Sequence, residues 1–543
     1  MSKQNITNGK VSLGNKLAFA CGDIFGGGSF NIINFLFTPF LTLVVGIPMV
    51  WLAPILLLTK IWDGIIDPII GRITDGTTPG KFGKRRKYML IFAPLVLVFL
   101  ILLFFPWNLI TESVLLKCVF VVIIYMLYAT AQSFVLIPYY SHASEMTDNF
   151  TERNNTNAVR LAFSIASSTI CVAVPGMIAS PSKGDDGKCY ILMAAIFGTI
   201  FMVSILITAL FSREQIVTPP VKTKFSLKEF LRPLKVKTYC QYLGMQMCSS
   251  MAMAMMSSFF FTFCDFYIRR LSYQQVTLNA DLSRFPIATV AAAMMFVAQI
   301  VALPIYLKII KAKSKRFAYI TGCTVWMVVV AFMWLLPAEG KVDVVNGSVQ
   351  TVDGVPNWLI MMFGLLLGLG IGGTVFVPHS SFGDVCDVGE LYFGERTEGA
   401  FSGITNFLNT TAQAIGLAIP PAIIGLAGYV ETQYVTTEQY NQILETGKVI
   451  INGKDFGGIV NFKATLGNGS VQLLPVSQPE GAQLAIRICF IVLPIVIMGI
   501  AIFIASKYKL TSDLQKRIVE ANARTDKDSD EFKQLREELL GQL

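Results

Sequence analysis

The sequence predicts an all-α membrane protein with twelve transmembrane helices, and three observations support this fold class. Of its 543 residues, 53% are hydrophobic and only 15% are charged, whereas soluble chains carry about 25% charged residues. The apolar residues form runs along the whole chain that reach the roughly 20 residues needed to cross a bilayer core of about 30 Å. These runs are too long and too continuous for the strands of a membrane barrel, so helices are the expected spanning elements.

Twelve apolar runs follow one another along the chain, and each is predicted to cross the membrane once. They occupy residues 18–46, 49–73, 88–106, 113–140, 158–180, 190–212, 239–268, 283–310, 318–337, 357–381, 400–428 and 485–507. Residues 1–17 are polar, which predicts that no cleavable signal peptide precedes the first run. The chain is therefore predicted to be a multi-pass protein that has the lipid bilayer as a partner.

Lysine and arginine are distributed unevenly between the connections, and this bias predicts the orientation of the helices. The connections after runs 2, 6 and 8, counted with Lys308 at the end of run 8, carry seventeen of these residues, whereas the connections after runs 3, 5, 7 and 9 carry five. Because basic loops stay on the cytoplasmic side, both termini are predicted to be cytoplasmic, in the plasma (inner) membrane. The net charge of +9 arises from these short loops, so it predicts no nucleic-acid partner.

A repeat divides the chain into two halves. Ile137–Ser141 (Ile-Pro-Tyr-Tyr-Ser) follows run 4, and Val377–Ser381 (Val-Pro-His-Ser-Ser) ends run 10; Glu-Arg pairs follow at 152–153 and 395–396. Two six-helix halves packed face to face form the major facilitator fold, with the substrate site between them near the midplane. The predicted units are an N-terminal half at 1–212, a cytoplasmic linker at 213–238, a C-terminal half at 239–508 and a cytoplasmic tail helix at 509–543.

Residues 429–484 form a long polar connection on the outer side of the C-terminal half. They are predicted to be an exposed extracellular insertion, or alternatively a lid over the outer vestibule. Leu466–Ser470 (Leu-Gly-Asn-Gly-Ser) predicts a turn, such as the turn of a hairpin.

The second run contains two carboxylates, Asp63 and Asp67. A carboxylate inside a spanning helix costs about 2.5–3.5 kcal/mol on insertion scales, so the pair calls for a compensating cation. The two acids are four residues apart and share one helix face, on which Lys60 also lies. Two oxygen donors at this spacing can hold Na⁺ or Li⁺, or share a proton; the alternative is a structural ion-pair cluster with Lys60 and a basic residue of another helix. No other metal site is predicted.

Four stretches resemble one known family. Lys16–Phe19 followed by Gly22-Asp23 is similar to its opening motif, and Lys60–Gly71 (Lys-Ile-Trp-Asp-Gly-Ile-Ile-Asp-Pro-Ile-Ile-Gly) to its helix 2 motif. Gly80–Lys84 and Asp384–Glu398 resemble two of its loops. The chain thus resembles the glycoside–pentoside–hexuronide:cation symporters of the major facilitator superfamily, whose best-known type is the melibiose carrier.

This resemblance implies symport of a sugar, glycoside or hexuronide into the cell, coupled to Na⁺, Li⁺ or H⁺, with no cofactor. Asp63 and Asp67 would be the cation ligands, assisted by the Ser133 hydroxyl. Arg160 and Tyr140 would lie near the sugar. From its position alone, Arg160 is either a snorkelling anchor or a cation facing the cavity.

The sequence departs from the family pattern in the sugar pocket. Two acids of that pattern correspond here to Gly27 and Leu136, a lysine corresponds to Thr410, and Ile66 replaces a polar neighbour of the second acid. Polar residues on the inward helix faces are alternative candidates for binding substrate hydroxyls. They are Asp23, Asn31, Asn34, Gln132, Asn406 and Asn409.

The predicted mechanism is alternating access by a monomer, with cytoplasmic charge pairs that latch the outward-open state. The residues assigned to gating and charge pairing are Lys60, Asp75, Arg85, Asp384, Asp387, Glu390, Arg396 and Glu398. Alternatives are a cation-coupled carrier of lysolipids or other amphiphiles, and a facilitator that needs no ion. A receptor or a membrane enzyme is less expected, because no nucleophile, base or metal cluster lies at membrane depth besides the acid pair.

Overall fold

The computed structural model of the protein describes most of the chain. The described residues are 11–543 except 79, 81–82, 84, 147–149, 180–186, 213–230, 267–286, 337–341, 346–347, 352–356, 395–397, 432, 447–449, 452–453, 456–461, 466–469, 475–477, 523 and 525–528.

Twelve helices in the described residues are long and apolar enough to cross a membrane, which agrees with the predicted number. The first eleven are α1 (Leu13–Val44), α2 (Met49–Asp75), α3 (Arg86–Leu103), α4 (Val114–Met146), α5 (Phe150–Ile178), α6 (Lys188–Phe211), α7 (Lys237–Phe266), α8 (Ile287–Ala312), α9 (Lys315–Met333), α10 (Asn357–Phe393) and α11 (Glu398–Leu426). A short helix, α12 (Thr437–Thr446), precedes the twelfth spanning helix, α13 (Glu480–Lys507). We call the bundle end that holds the chain ends the terminal face, and the opposite end the distal face.

Two of the spanning helices contain π-helical turns. In α1 they cover Ile33–Phe37 and Phe40–Val44, and in α13 they cover Ile488–Val492. A π turn widens the helix and often marks a functional segment. All three turns lie in the halves of these helices that point toward the distal face.

Long helix–helix contacts build each half and join the two halves. Within the halves, α3 packs on α6 and α8 packs on α10. Glycines permit the second contact, because a Cβ at Gly364 would lie 2.5 Å from the carbonyl oxygen of Ala291. Between the halves, α2 packs along α11 and α5 packs along α8. A space remains between these two inter-half contacts, and it contains the cavity described below.

Short strands lie at the distal face. β1 (Val342–Val345) and β2 (Ser348–Thr351) form an antiparallel hairpin between α9 and α10, which the sequence analysis did not predict. The segment 429–484 contains β3 (Gln433–Thr436), β4 (Ile450–Ile451), β5 (Lys454–Asp455), β6 (Phe462–Thr465) and β7 (Ser470–Leu474). β7 lies between β3 and β6, antiparallel to both, and β4 pairs with β5. The predicted hairpin is therefore present as β6 and β7, although its turn at 466–469 lies outside the described residues.

The base of this insertion is fastened to both halves. The buried amide of Gln478 accepts a hydrogen bond from Val430 N at 2.8 Å and donates one to Val430 O at 2.9 Å, which joins the two ends of the insertion. Met49 N, at the start of α2, donates to Glu431 Oε1 at 3.4 Å. The insertion therefore reaches from the C-terminal half to the N-terminal half.

The tail forms two helices where the sequence predicted one. They are α14 (Ser512–Asn522) and α15 (Asp530–Gly541), with the residues between them only partly described. The tail is also docked: Gln515 Nε2 donates to Asp387 Oδ2 at 2.7 Å and Asn522 Nδ2 donates to Asp387 O at 2.9 Å. It therefore packs beneath the C-terminal half at the terminal face.

Candidate functional site

A cavity of about 540 Å³ lies between the two halves. Its N-terminal wall comes from α1, α2 and α4, and its C-terminal wall comes from α7, α10 and α11. The polar residues that line it are Asn34, Lys60, Asp63, Asp67, Gln132, Ser133, Tyr140, Gln246, Ser249, Ser250, Ser257, Thr374, His379, Asn406, Asn409, Thr410 and Gln413. Polar residues from six helices thus converge on one chamber, as expected of a binding site near the midplane.

Both acids of α2 face this chamber. Lys60 Nζ donates to Asp63 Oδ2 at 3.2 Å, and the Ser133 hydroxyl of α4 donates to Asp67 Oδ1 at 2.5 Å. The Trp62 ring nitrogen donates to the Thr130 hydroxyl at 3.0 Å, which fixes the register of α2 against α4. The carboxylates therefore hold separate partners, although they share one helix face.

The charges of the cavity wall do not balance. Among its described residues, two carboxylates face one ammonium group, that of Lys60. Lys60 is buried, with only 6% of its side chain exposed, and it pairs with Asp63 rather than with Asp67. The structural alternative needs a second basic residue from another helix. Among the described residues that line the cavity there is no arginine or second lysine, and the His379 ring of α10 is hydrogen-bonded to Val375 O at 2.8 Å. A monovalent cation or a proton would complete the neutralisation.

A multidentate protein site for a divalent metal is not assembled here. Within the described ranges, no group of three or more His, Cys, Asp or Glu side chains lies close enough to hold a metal ion. The two α2 carboxylates and the Ser133 hydroxyl are hard oxygen ligands, which suits Na⁺ or Li⁺ better than a transition metal.

Five of the substrate-binding candidates line the cavity: Asn34, Gln132, Tyr140, Asn406 and Asn409. Gln132 Nε2 donates to the buried Ser29 hydroxyl of α1 at 3.0 Å, so this amide is partly engaged within the protein. Tyr140 is 44% exposed and stands where the wall approaches the terminal face.

The other three candidates are not among the lining residues. Asp23 is buried, with its Oδ2 atom 3.7 Å from Arg160 Nε, and the Arg160 guanidinium lies over the Tyr140 ring at 5.1 Å. Asn31 Nδ2 donates to Gly27 O within α1 at 3.0 Å. Asp23 and Arg160 thus pair with each other behind Tyr140, and neither is among the described residues that line the cavity.

Gly27 shows why an acid of the family pattern has no counterpart in α1. A Cβ at this position would lie 2.5 Å from Ser164 Oγ and 2.6 Å from Ser164 O of α5. The two backbones approach so closely that only glycine fits. Close packing of α1 against α5 therefore excludes a carboxylate side chain at Gly27.

Two of the predicted gating residues make contacts within the C-terminal half. The loop assigned to 384–398 is helical through Phe393, and Asp384 pairs with Lys315 of the same half at 2.5 Å. Asp387 accepts its hydrogen bonds from the tail, and Glu390 lies in the same helical extension. In this conformation Asp384 thus contacts α9 and Asp387 contacts α14, both within the C-terminal half. The latch of the outward-open state stays a prediction.

Of the remaining gating candidates, the structure describes the side chains of Lys60 and Arg85. Lys60 belongs to the cavity wall, and Arg85 is buried at the start of α3. Asp75 ends α2 and Glu398 begins α11, but their side chains lie outside the described residues, as does the whole of Arg396.

The cavity is closed toward the distal face. The Thr38 and Ser258 hydroxyls are hydrogen-bonded at 2.8 Å across the two halves, and both side chains are buried. Beside them, the Phe35 ring makes edge contacts with the rings of Phe260 and Phe261, at 6.2 and 5.9 Å between centroids. Because Tyr140 and His379 at the other end of the chamber are exposed, the cavity opens toward the terminal face.

Several cavity residues were not identified from the sequence. Gln246, Ser249, Ser250 and Ser257 line it from α7, and Gln413 lines it from α11. A signal was present, because these residues recur at spacings of three to four within apolar helices, so they mark one polar stripe on each helix. The abundant methionines of α7 obscured the stripe.

Comparison with known proteins agrees with this architecture. The family model described as "MFS/sugar transport protein" matches residues 18–452. The chain is 23% identical to the glucuronide carrier protein homolog of Escherichia coli (strain K12) over 79% of this chain and 87% of that protein. It is 20% identical to the sodium-dependent lysophosphatidylcholine symporter 1-A of Danio rerio over 82% of this chain and 84% of that protein.

A solved structure shows the same fold. A bacterial homologue of the human drug peptide transporters PepT1 and PepT2 superimposes with a TM-score of 0.56 at 10% identity, over 90% of this chain and 97% of that chain.

Proposed function

Because the chain belongs to the MFS/sugar transport protein family, whose members are transporters and not enzymes, we propose that it is a cation-coupled symporter. It carries a sugar, glycoside or hexuronide into the cell by alternating access, and it acts as a monomer. The observation that carries this proposal is the placement of Asp63 and Asp67 in the wall of the inter-half cavity, with Lys60 as their one basic partner there.

The charge imbalance supplies the coupling. An uncompensated carboxylate at membrane depth is costly, and the cost grows when the two halves close around it and remove water. A Na⁺, Li⁺ or H⁺ that binds at Asp67 and Asp63 removes this cost and so favours the closed intermediate. Because a coupling free energy acts in both directions, bound substrate raises the affinity for the cation by the same factor.

The orientation follows from the basic connections. With the lysine- and arginine-rich loops in the cytoplasm, both termini are cytoplasmic and the terminal face is the inner side of the plasma membrane. The conformation described above, open at the terminal face and closed at the distal face, is then the inward-open state.

A lysolipid is the second candidate substrate. The Danio rerio relative is named as a sodium-dependent lysophosphatidylcholine symporter, and part of the cavity wall is apolar, with Phe30, Leu136, Ile137 and Met253 among its lining residues. Accumulation of lysophosphatidylcholine in place of any glycoside would select this candidate.

The experiment is uptake into proteoliposomes of a panel of labelled hexosides, pentosides and hexuronides, with and without a Na⁺ or H⁺ gradient. Asp63→Asn and Asp67→Asn remove one charge each from the cavity, and Asp530→Asn removes one from the exposed side of the tail as a matched control. Accumulation against the substrate gradient is expected in the native protein and the control, and loss of it by about tenfold or more in the two cavity variants.

Two outcomes would contradict the proposal. Uptake by Asp63→Asn that stays fully gradient-driven would remove this residue from the coupling. Equilibration without accumulation in the native protein would identify a facilitator that needs no ion.

A further inference from the structure

We propose that the substrate's hydroxyl groups are bound by an amide wall on the C-terminal half, and that the substrate is a neutral glycoside rather than a uronide or a lysolipid. The amide wall comprises Gln246 of α7 and Asn406, Asn409 and Gln413 of α11. This inference rests on the proposed function and names the substrate class and the subsite that recognises it.

Helix packing brings the amide wall together. α7 and α11 pack side by side, and Gly416 of α11 approaches so closely that a Cβ there would lie 2.5 Å from Met251 O. Asn406, Asn409 and Gln413 are spaced i, i+3 and i+7, which places them on one face of α11. All four amides line the cavity, so they form one continuous polar surface.

Two amide oxygens of this surface lack a partner in the described chain. They are Gln246 Oε1 and Asn409 Oδ1, both with almost no solvent-accessible surface, so each side chain must turn toward the cavity to meet a ligand. The Gln246 side chain is only 6% exposed. A buried polar atom without a hydrogen bond is costly, and an amide that lines a cavity regains the bond when a ligand supplies a donor. A sugar hydroxyl is such a donor and can also accept a bond from the NH₂ group of the same amide.

Three hydroxyl groups of the same wall behave differently. The Ser249 hydroxyl is hydrogen-bonded to Tyr319 OH at 2.8 Å, the Ser257 hydroxyl donates to Ala254 O, and the Thr374 hydroxyl donates to Ile371 O. These groups are satisfied by the protein itself. The amide oxygens of Gln246 and Asn409, together with the Ser250 and Thr410 hydroxyls, are therefore among the groups of the described C-terminal wall that a ligand can engage.

The charge distribution selects a neutral ligand. The ionised side chains of the described cavity wall, Lys60, Asp63 and Asp67, all belong to α2, and the C-terminal wall carries neither an acid nor a lysine or arginine. Lys60 already pairs with Asp63. Before the coupling cation binds, the carboxylate of a uronide or the phosphate of a lysolipid would therefore meet two acids, one lysine that is already paired and, as the other basic side chain of the described wall, His379. Such an encounter is unfavourable at low dielectric.

The opposite wall suits the apolar face of a pyranose ring. Phe30 of α1 and Leu136, Ile137 and Tyr140 of α4 line the cavity across from the amides. A sugar ring has an edge of hydroxyl groups and a face of C–H groups, so one wall can bind the edge while the other packs against the face. A few convergent polar groups opposite an apolar surface are typical of small-molecule sites.

The test is ligand-induced thermal stabilisation of the purified full chain in detergent, in Na⁺ and in choline buffers. The probes are the para-nitrophenyl α-galactoside, β-glucoside and β-xyloside, the matching β-glucuronide, and lysophosphatidylcholine. At least one neutral glycoside is expected to raise the Tm, and the β-glucuronide is expected to bind about tenfold or more weakly than the β-glucoside.

Variants assign the binding to the amide wall. Gln246→Leu and Asn409→Leu keep the side-chain volume and remove the amide, so each is expected to raise the glycoside Kd by about tenfold. Asn409→Gln keeps an uncharged amide at this position and is expected to lose less affinity for the glycoside than Asn409→Leu. Asn441→Leu, an exposed amide of α12, is the control, and the Tm without ligand shows whether each variant is folded.

Each contrary outcome overturns a defined part of the inference. An unchanged Kd in both folded leucine variants would show that the amide wall does not bind the substrate. Equal or tighter binding of the β-glucuronide would show that the site does not prefer a neutral ligand. Stabilisation by lysophosphatidylcholine alone, or by no neutral glycoside, would overturn the whole. The symport proposal is tested separately, by measuring whether Asp63→Asn abolishes the Na⁺ or H⁺ dependence of binding or uptake.

Discussion

At the residue scale, the two acids of α2 have different roles in the described conformation. Asp63 is bound by Lys60 of its own helix, whereas Asp67 is bound by the hydroxyl of Ser133 from α4. An ammonium group neutralises its partner and a hydroxyl does not, so Asp67 is the acid that retains a net charge. We infer that the cation binds first at Asp67, and that Asp63 joins when Lys60 moves aside.

The Ser133 hydroxyl should therefore set the affinity for the cation. In Ser133→Ala, Asp67 loses its donor and a neighbouring oxygen ligand, so the cation concentration for half-maximal uptake is expected to shift by about threefold to tenfold. The measurement is uptake against Na⁺ concentration and against pH.

Ser133→Thr restores a hydroxyl and should return the native value, while Ser141→Ala on the same helix, outside the cavity wall, should leave it unchanged. A native activation curve in folded Ser133→Ala would mean that the hydroxyl serves α2–α4 packing alone.

At the element scale, α10 shows how composition misleads about where a helix ends. The apolar run ends near residue 381, yet the helix continues through charged residues to Phe393. Gly394 adopts a positive φ of 77° and its N–H bonds to Glu390 O at 2.8 Å, which is the usual stop signal of a helix. Hydropathy reports where the bilayer ends, whereas this glycine reports where the helix ends.

The small residues of α10 fix its contact with α8, and this predicts a difference between two identical substitutions. A Cβ at Gly368 would collide with Met295 O, whereas a Cβ at Gly383 would meet nothing within 4 Å. Gly368→Ala is expected to lower stability by about 1–3 kcal/mol through overpacking. Gly383→Ala is expected to be neutral or slightly stabilising, because alanine favours a helix by about 0.5–1 kcal/mol over glycine.

Thermal unfolding of the two variants in detergent measures this difference directly. Both substitutions change glycine to alanine within one helix, so the difference in Tm isolates the packing against α8. Equal Tm values would show that α8 and α10 can separate without cost.

At the scale of the whole molecule, the two faces of the bundle are held by different means. The distal face is closed across the halves by the Thr38–Ser258 hydrogen bond and by phenylalanine rings. At the terminal face, Lys315, Asp384 and the tail make contacts within the C-terminal half. Alternating access requires the distal contact to break and an inter-half contact to form at the terminal face.

A disulfide across the distal face should therefore stop transport. The hydroxyl oxygens of Thr38 and Ser258 are 2.8 Å apart, so Thr38→Cys with Ser258→Cys is expected to form a disulfide under mild oxidation. Uptake should then fall by about tenfold or more because the distal face cannot open, and a reducing agent should restore it.

Thr38→Cys alone and Ser258→Cys alone, treated with the same oxidant, control for reactions of the native cysteines. Full uptake by a sample in which mass spectrometry shows the crosslink would mean that this contact stays closed throughout the cycle.

The sequence by itself determined the number of spanning helices, the acid pair of α2 and the hairpin of the distal insertion. Each depends on residues near one another in the chain: an apolar run is as long as the bilayer is thick, and residues four apart share a helix face. The family motif around Asp63 and Asp67 is local in the same sense. For the same reason Asn34, Asn406 and Asn409 could be assigned to inward faces, whereas Tyr140 was assigned from the family resemblance.

Only the tertiary structure decided which polar groups meet. Asp23 and Arg160 lie on different helices and pair with each other away from the cavity. The close approach of α5 leaves no room for a carboxylate side chain at position 27. Asp387 accepts a hydrogen bond from the tail, which the sequence predicts only as a cytoplasmic helix. Such pairings depend on distances between helices remote in sequence, and those distances are set by the packing of whole surfaces, which local periodicity does not encode.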